Sequence, residues 1–144
     1  MKAEENWKPL KLRAEDDVDL LVFTECLHQA IVLPSELLFD KHSKQFAIAV
    51  ERFTWEIAKG KDHELRQVLS ILLVNGVLNA EFNKKLTGNS IYNIVSISNV
   101  DNNILILLNN EEVINLKVKD WNCILEDVGR PIWPAISPSH LTNE

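Results

Sequence analysis

The chain contains few of the residues that common catalytic and cofactor-binding motifs need. Its four glycines stand at positions 60, 76, 88 and 129, too dispersed to form a glycine-rich loop around a phosphate group. Its four histidines stand at positions 28, 42, 63 and 140. No two of them have the i, i+3 or i, i+4 spacing that places metal ligands on one helix face. We therefore expect no cofactor and no metal site.

Positive charge is sparse and scattered. The chain carries 15 Lys and Arg against 21 Asp and Glu, a formal net charge of −6 at pH 7. Lysines come together only in short groups, at residues 59–61, 84–85 and 117–119. Because contacts to nucleic-acid phosphates need clustered Lys and Arg, we expect no general nucleic-acid binding.

Long apolar runs and paired cysteines are also missing. No run reaches the roughly 18 apolar residues that a membrane span needs, and residues 1–6 contain no apolar core of a secretory signal. The two cysteines, Cys26 and Cys123, belong to no C-x-x-C pair, which favours free thiols in a reducing compartment. We predict a cytoplasmic protein with no membrane association.

Nucleophilic catalysis has one weak candidate, Cys123. In the folded chain it could form a Cys–His pair with His28 or His140, because the members of such a pair are often far apart in the sequence and adjacent only in the fold. However, Cys123 stands beside Ile124 and Leu125, which are typical packing residues, so a buried core thiol is the preferred interpretation. We assign no catalytic residue and do not expect an enzyme.

The chain does have a strong pattern of β-strands. Apolar and polar residues alternate at 114–118 and at 46–50, the period of two that is typical of strands with one buried face. Residues 104–108 and 68–74 are almost continuously apolar, as in strands covered on both faces. These patterns predict an α+β fold with a mostly antiparallel sheet or partly closed barrel of about six to eight strands.

Asparagine-rich turns connect the predicted strands. Asp101-Asn102-Asn103 stands where the chain must reverse, and Asn tolerates the positive φ of a tight turn. The pattern predicts an antiparallel meander of Tyr92–Val100, Ile104–Asn109 and Val113–Lys119. Asn75-Gly76 is equally consistent with a hairpin turn and with a glycine bulge inside one long strand.

Two helices are predicted to frame the sheet within a single domain. The first runs from Asp17 to Ala30 with Asp16 as its N-cap, and the second is a short C-terminal helix from Asp120 to Val128. A meander followed by a short terminal helix suggests a pleckstrin-homology-like layout. Residues 1–8 are expected to form a flexible N-terminus, and residues 130–144 an extended Pro-rich tail. The buried face of the first helix is predicted to contain Leu20, Phe23, Leu27 and Ala30, widened by Val18, Leu21 and Val22.

The alternation breaks at Glu51–Arg52 before Phe53 and Trp55 resume a spacing of two. The break predicts either a β-bulge or a change of the buried face. Arg52 and Trp55 are therefore the first two candidate binding residues, because Arg beside aromatic residues can bind a carboxylate or phosphate group or stack within a protein interface. In the alternative interpretation Arg52 pairs with Glu51 or Glu56, and Trp55 belongs to the core.

Trp133 is the third candidate binding residue. It lies in the Pro-rich tail, where it is either an anchor that holds the tail on the domain or an exposed residue that binds a partner.

Three segments together resemble a known family. They are residues 10–16, residues 46–56 with the sequence Arg-Phe-Thr-Trp-Glu at their end, and residues 129–134 followed by Pro138 and His140. From about Leu10 to His140 the chain resembles a family of small single-domain alphaproteobacterial proteins of unknown function. The resemblance implies a cytoplasmic bacterial protein made of this one domain. It brings no activity and no functional residues.

The function that these observations favour is a non-catalytic binding module. A compact, well-patterned fold without a catalytic motif is expected to engage a protein partner, or to self-associate. The alternative is a barrel that binds a small molecule, because strands that are apolar on both faces could enclose a pocket. A cryptic Cys/His enzyme is the least favoured alternative.

Overall fold

The computed structural model describes residues 8–58, 65–83, 86 and 91–129. The predicted meander is confirmed, and its first turn places Asp101 and Asn102 at φ +50° and +63°. Residues 1–7 and 130–144 lie outside the described part, so the expected flexible N-terminus and the tail with Trp133 stay predictions. The elements are β1 (Lys11–Ala14), α1 (Asp17–Cys26), β2 (Ile31–Asp40), β3 (Gln45–Phe53), α2 (Trp55–Ala58), β4 (Gln67–Glu81), β5 (Tyr92–Val100), β6 (Asn103–Leu108) and β7 (Val113–Asp127).

Strands β2 to β7 form a closed antiparallel barrel. Their hydrogen-bonded order is β7–β4–β3–β2–β5–β6, and β6 pairs with β7 again, so the ring closes. Strand β7 is long enough to pair with β6 along its first half and with β1 along its second half, while β4 lies on its other side. The expected α+β fold with a mostly antiparallel barrel is confirmed, and β1 adds a strand outside the ring.

Apolar side chains fill the inside of the barrel. Inward residues from all six strands join one contiguous buried cluster, to which α1 contributes Leu20, Phe23 and its C-cap residue Leu27. A six-stranded barrel is narrow, and side chains normally fill its interior. The interior of this barrel is accordingly occupied by the protein itself.

Gly76 creates a bend that β4 and β7 share. Its φ is +84°, a conformation that favours glycine, and the register between β4 and β7 shifts at this residue. A Cβ atom at Gly76 would lie 2.5 Å from the carbonyl oxygen of Lys119, so no side chain fits there. Asn75-Gly76 is therefore a bulge inside one long strand and not a hairpin turn.

The predicted C-terminal helix is wrong, because residues 120–127 form the second half of β7. Asp120 takes φ +51° instead of capping a helix. Residues 123–126 pair with β1 on one side and with β4 on the other, and this pairing overrides the local helix signal. The pleckstrin-homology-like layout depended on that helix, so it loses its support.

Helix α1 covers the gap between β1 and β5. The hydroxyl of Thr24 bonds both backbone groups of Ile97, at 3.0 and 3.1 Å, which satisfies a stretch of β5 that β2 does not reach. The predicted N-cap is confirmed, since Asp16 accepts a 2.8 Å hydrogen bond from the Asp19 amide. The helix ends at Cys26, four residues before the predicted Ala30.

The buried face of α1 is narrower than predicted. Leu20, Phe23 and Leu27 point inward and are at most 1% exposed, whereas Val18, Leu21 and Val22 are 69%, 65% and 47% exposed. The prediction that these three residues widen the buried face is wrong, because the helix lies on the rim of the barrel with only one side against it.

Strand β3 keeps its alternation through Glu51–Arg52. Its register with β4 runs without a shift from Gln45 to Phe53, and Arg52 takes the inward position after Val50. Neither the predicted bulge nor a change of the inward face occurs. The pattern looked broken only because a charged residue occupies an inward site. Trp55 then begins α2 instead of extending the strand.

Candidate functional site

Arg52 closes one end of the barrel and is fully buried. Its Nε and Nη2 atoms donate to the carboxylate of Asp127 at 2.7 and 2.8 Å. Its Nη1 and Nη2 atoms donate to the carboxylate of Glu56 at 2.9 and 2.8 Å, and Nη1 also donates to the Phe53 carbonyl at 3.1 Å. A guanidinium group has five N–H donors, so all five are used within the chain.

Asp127 links Arg52 to two further segments. Its carboxylate also accepts hydrogen bonds from the Leu10 amide at 2.8 Å and from the Ser70 hydroxyl at 2.7 Å. Burial alone raises the pKa of Asp127, but the hydrogen bonds from Arg52, Leu10 and Ser70 outweigh it and hold that pKa below its ordinary value. The carboxylate therefore stays charged and joins β3, β4 and β7 to the start of β1.

The chemistry of Arg52 follows from this saturation. Two bidentate carboxylate partners hold its guanidinium group in one plane and one position. Both carboxylates raise the pKa of Arg52 against the opposing effect of burial, so the group is permanently charged. Because every donor already has an acceptor, Arg52 acts as an internal clamp and offers no donor to an external anion.

Trp55 fixes α2 against the end of α1. Its indole Nε1 donates a 2.8 Å hydrogen bond to the carbonyl oxygen of His28. Its ring centroid lies 5.4 Å from that of His28 and 6.0 Å from that of Phe53. Trp55 is half-buried, so one part of its ring packs on the protein and another part borders the surface.

The exposed part of Trp55 lines a small cleft between α1 and α2. Its other walls are Glu25, Cys26 and Glu56, and its volume is about 180 Å³. The Glu56 carboxylate faces Arg52 from the same cleft wall, whereas Glu25 is exposed at the rim. We call this site the α1–α2 cleft. Burial raises the pKa of the Cys26 thiol, and nearby Arg52 opposes the rise.

The chain belongs to the DUF2948 family. The model of this family, described as a protein of unknown function, matches residues 10–140, which confirms the family resemblance seen in the sequence. No curated protein and no solved structure matches the chain.

Other candidate chemistry in this DUF2948 chain is spread over the fold. Cys123 is fully buried between Ala14 and Val74 of the neighbouring strands, and burial raises the pKa of its thiol to about 12. His28 lies against Trp55, and His42 lies in the turn between β2 and β3. Among the described residues, no three His, Cys, Asp or Glu side chains come together as a metal site would need.

The described helices are all too short or too polar to cross a membrane. Of the sequence-predicted residues, Trp55 lines the cleft, Arg52 is buried and bonded to the cleft residue Glu56, and Trp133 lies outside the described residues. Sequence reasoning missed Glu25 and Cys26. The helical spacing of four residues could have identified them, because it places Glu25 beside Leu21 and Cys26 beside Val22 on the helix surface.

Proposed function

We propose that this protein is a non-catalytic recognition module that binds a segment of a partner protein along the outer side of α1. The observation that carries the proposal is the exposure of Val18, Leu21 and Val22, at 69%, 65% and 47%. A helix that already buries an apolar face against the barrel normally has a polar outer side. Contiguous apolar side chains on a surface are typical of a protein contact.

The outer side of α1 leads into the α1–α2 cleft. Val18, Leu21 and Val22 are neighbours at the i, i+3 and i, i+4 spacings, and Glu25 and Cys26 follow them at the same spacings. The cleft begins at these two residues. Three apolar side chains and a small cleft therefore form one continuous strip, which we call the α1 strip.

The size of the cleft favours a side chain over a metabolite. Its volume is about 180 Å³, below the range of about 300–1,000 Å³ that is usual for small-molecule sites. Its walls combine an aromatic ring, Trp55, with the exposed carboxylate of Glu25, whereas the carboxylate of Glu56 is already bonded to Arg52. An indole face and carboxylates both attract a cation. The partner segment should therefore present apolar residues to the helix and a Lys or Arg to the cleft.

Selection from a peptide display library tests this proposal directly. The full chain is immobilised and the bound peptides are sequenced. We expect enrichment of peptides with two or three apolar residues followed by Lys or Arg. Leu21→Asp and Glu25→Lys should each raise the Kd for the selected peptides by about tenfold or more, as substitutions at a binding hot spot do.

The matched control is Leu38→Asp. Leu38 is 66% exposed on β2, so it carries the same change at similar exposure away from α1, and it should leave peptide affinity unchanged. Selected peptides without a basic residue, or affinities that neither α1 variant alters, would overturn the proposal.

A further inference from the structure

The outer face of the barrel carries an apolar groove over β2, β3 and β4. The groove has a volume of about 280 Å³. Its floor is formed by Ala47 and Ala49, which are consecutive outward residues of β3. Leu38 and Ile71 border the floor and are 66% and 38% exposed. We call this site the outer groove. Outward positions of such strands are usually polar, so an apolar hollow here is typical of a protein contact.

The opposite side of the barrel carries an apolar ridge. The ring order β7–β4–β3–β2–β5–β6 places β6 opposite β3. Leu105 and Leu107 are consecutive outward residues of β6, and Leu107 is 40% exposed. Val113 of β7 pairs with Leu107 and is 37% exposed. We call these three residues the β6 ridge. Large apolar side chains thus project on one side of the barrel, and small ones form a hollow on the other.

The two ends of the outer groove carry opposite charge. The turn before β3 contains exposed Lys41 and Lys44, and the Asp40 carboxylate accepts backbone amides of the same turn. Farther along β3, Glu51 takes the next outward position after the groove floor, and exposed Glu36 of β2 lines the groove. Neither Lys44 nor Glu51 forms an ion pair with another described residue. The groove therefore runs from an end with excess lysine to an end with two carboxylates.

The β6 ridge has the reverse arrangement of charge. The turn after β6 contains Glu111 and Glu112. At the other end of the ridge, exposed Lys117 pairs with the first residue of β6, and exposed Lys119 follows on the same strand. Asp101 in the turn before β6 offsets one of these two lysines. The ridge therefore runs from an acidic end to an end with excess lysine.

We propose that copies of this chain associate head to tail, with the β6 ridge of one copy in the outer groove of the next. Leu105 and Leu107 match the spacing of Ala47 and Ala49, because each pair spans two residues of a strand, about 7 Å. With Leu107 over Ala47, the acidic end of the ridge meets the groove lysines, and the ridge lysines meet Glu51. The reverse orientation opposes like charges at both ends, so electrostatics selects one orientation.

The position of the two surfaces dictates the kind of assembly. A contact between two different surfaces is heterologous, and it produces an open chain or a ring of copies instead of a closed pair. The groove and the ridge of one copy cannot meet each other, because they lie on opposite sides of one barrel. The contact covers only the strands β2 to β4 of one copy. Such a small interface should be weak and reversible, and the assembly should grow with concentration.

Two variants that each lose one surface test the direction of the contact. Ala47→Glu places a charge in the groove floor, and Leu107→Glu places one on the ridge. Circular dichroism and urea midpoints check that both variants fold. In sedimentation equilibrium up to about 1 mM chain, we expect the unmodified full chain to form complexes of three and more copies. Each variant alone should be monomeric, and their equimolar mixture should form complexes of two chains and no larger ones.

Three outcomes of this experiment would overturn the proposal. The first is an unmodified chain that stays monomeric or stops at two copies. The second is a variant that associates alone as the unmodified chain does. The third is a mixture of the two variants that stays monomeric. The mixture is decisive because only a head-to-tail contact lets two inactive surfaces leave one complete groove and one complete ridge.

Charge reversal tests the orientation of the contact. Glu51 pairs with Leu69 and Lys117 with Asn79, ten positions along β4 and about 30 Å apart, so the two charges do not meet within one chain. Glu51→Lys and Lys117→Glu should each raise the dissociation constant by about tenfold, and the double variant should recover most of that loss. Simple addition of the two losses would overturn the proposal.

Glu25→Lys on α1 is the matched control. It makes the same change at an exposed residue of the α1 strip and should leave the association of copies unchanged. Because Glu25→Lys also weakens peptide binding under the proposed function, the two surfaces are tested separately. Failure of head-to-tail association therefore leaves the proposed function standing.

Discussion

Replacing Arg52 by methionine should destabilise the protein more than any substitution at its partners. The change keeps the apolar length of the side chain and removes all five hydrogen bonds at once. Asp127 then stays buried with its charge uncompensated. Breaking a buried ion pair on one side costs about 3–5 kcal/mol. For a chain of this length each kcal/mol lowers Tm by about 2–4 °C, so the expected drop is roughly 6–20 °C.

Two comparison variants separate the buried charge from general loss of packing. Glu56→Gln leaves the Asp127 pair intact, and the Glu56 side chain is 32% exposed, so it should cost only about 1 kcal/mol. Adding Asp127→Asn to Arg52→Met removes the uncompensated charge and should recover part of the stability. Groups in one hydrogen-bond network are energetically coupled. A double variant whose loss of unfolding free energy equals the sum of the losses of Arg52→Met and Asp127→Asn alone would therefore contradict this expectation.

Urea unfolding followed by circular dichroism and tryptophan fluorescence measures these free energies. The two signals must give coincident transitions for the two-state comparison to hold. A loss below about 1 kcal/mol for Arg52→Met, within the range of an exposed ion pair, would refute the assignment of Arg52 as the clamp of the barrel end.

Three further predictions follow from the fold. The pKa of Asp127 is lower in the folded than in the unfolded chain. As the pH falls, Asp127 is therefore protonated in the unfolded chain before it is protonated in the folded one, so stability should fall as the pH drops below about 4. In a pH series of urea titrations, Asp127→Asn should flatten this dependence. Gly76→Ala should cost about 2 kcal/mol or more in urea titrations, because of its positive φ and the strand beside it, whereas Asp120→Gly in the same bend should be neutral or stabilising. In timed maleimide labelling, half-buried Cys26 should react well before Cys123; equal rates would contradict the buried position of Cys123.

The local elements of this barrel could be predicted from the sequence, but its closure could not. Alternation and turn residues predicted the meander and the start of α1 because those signals involve neighbouring residues. The pairing of Lys11–Ala14 with residues 123–126 joins opposite ends of the chain, and no local pattern encodes it. The helix prediction for the segment after Asp120 failed for the same reason, because the strand pairing that decides its structure involves residues far away in the sequence.

The candidate site was predicted in part for a related reason. Arg52 and Trp55 stood out because charge and aromatic residues interrupt an apolar pattern. The partner that decides the role of Arg52 is Asp127, 75 residues away, and only the folded barrel brings them together. The exposed side of α1 was missed because Val18, Leu21 and Val22 are as apolar as the buried residues between them, and hydrophobicity alone does not tell the two sides apart.

The long strand β7 also dictates when the chain can fold during its synthesis. It supplies partners to β1, β4 and β6, yet it is the last of these strands to be made. Until residue 127 has been added, those three strands have edges without partners, and such edges invite pairing with other chains. Contacts of such high sequence separation are also slow to form. A nascent chain of this protein therefore has to be kept from its neighbours until β7 has been made.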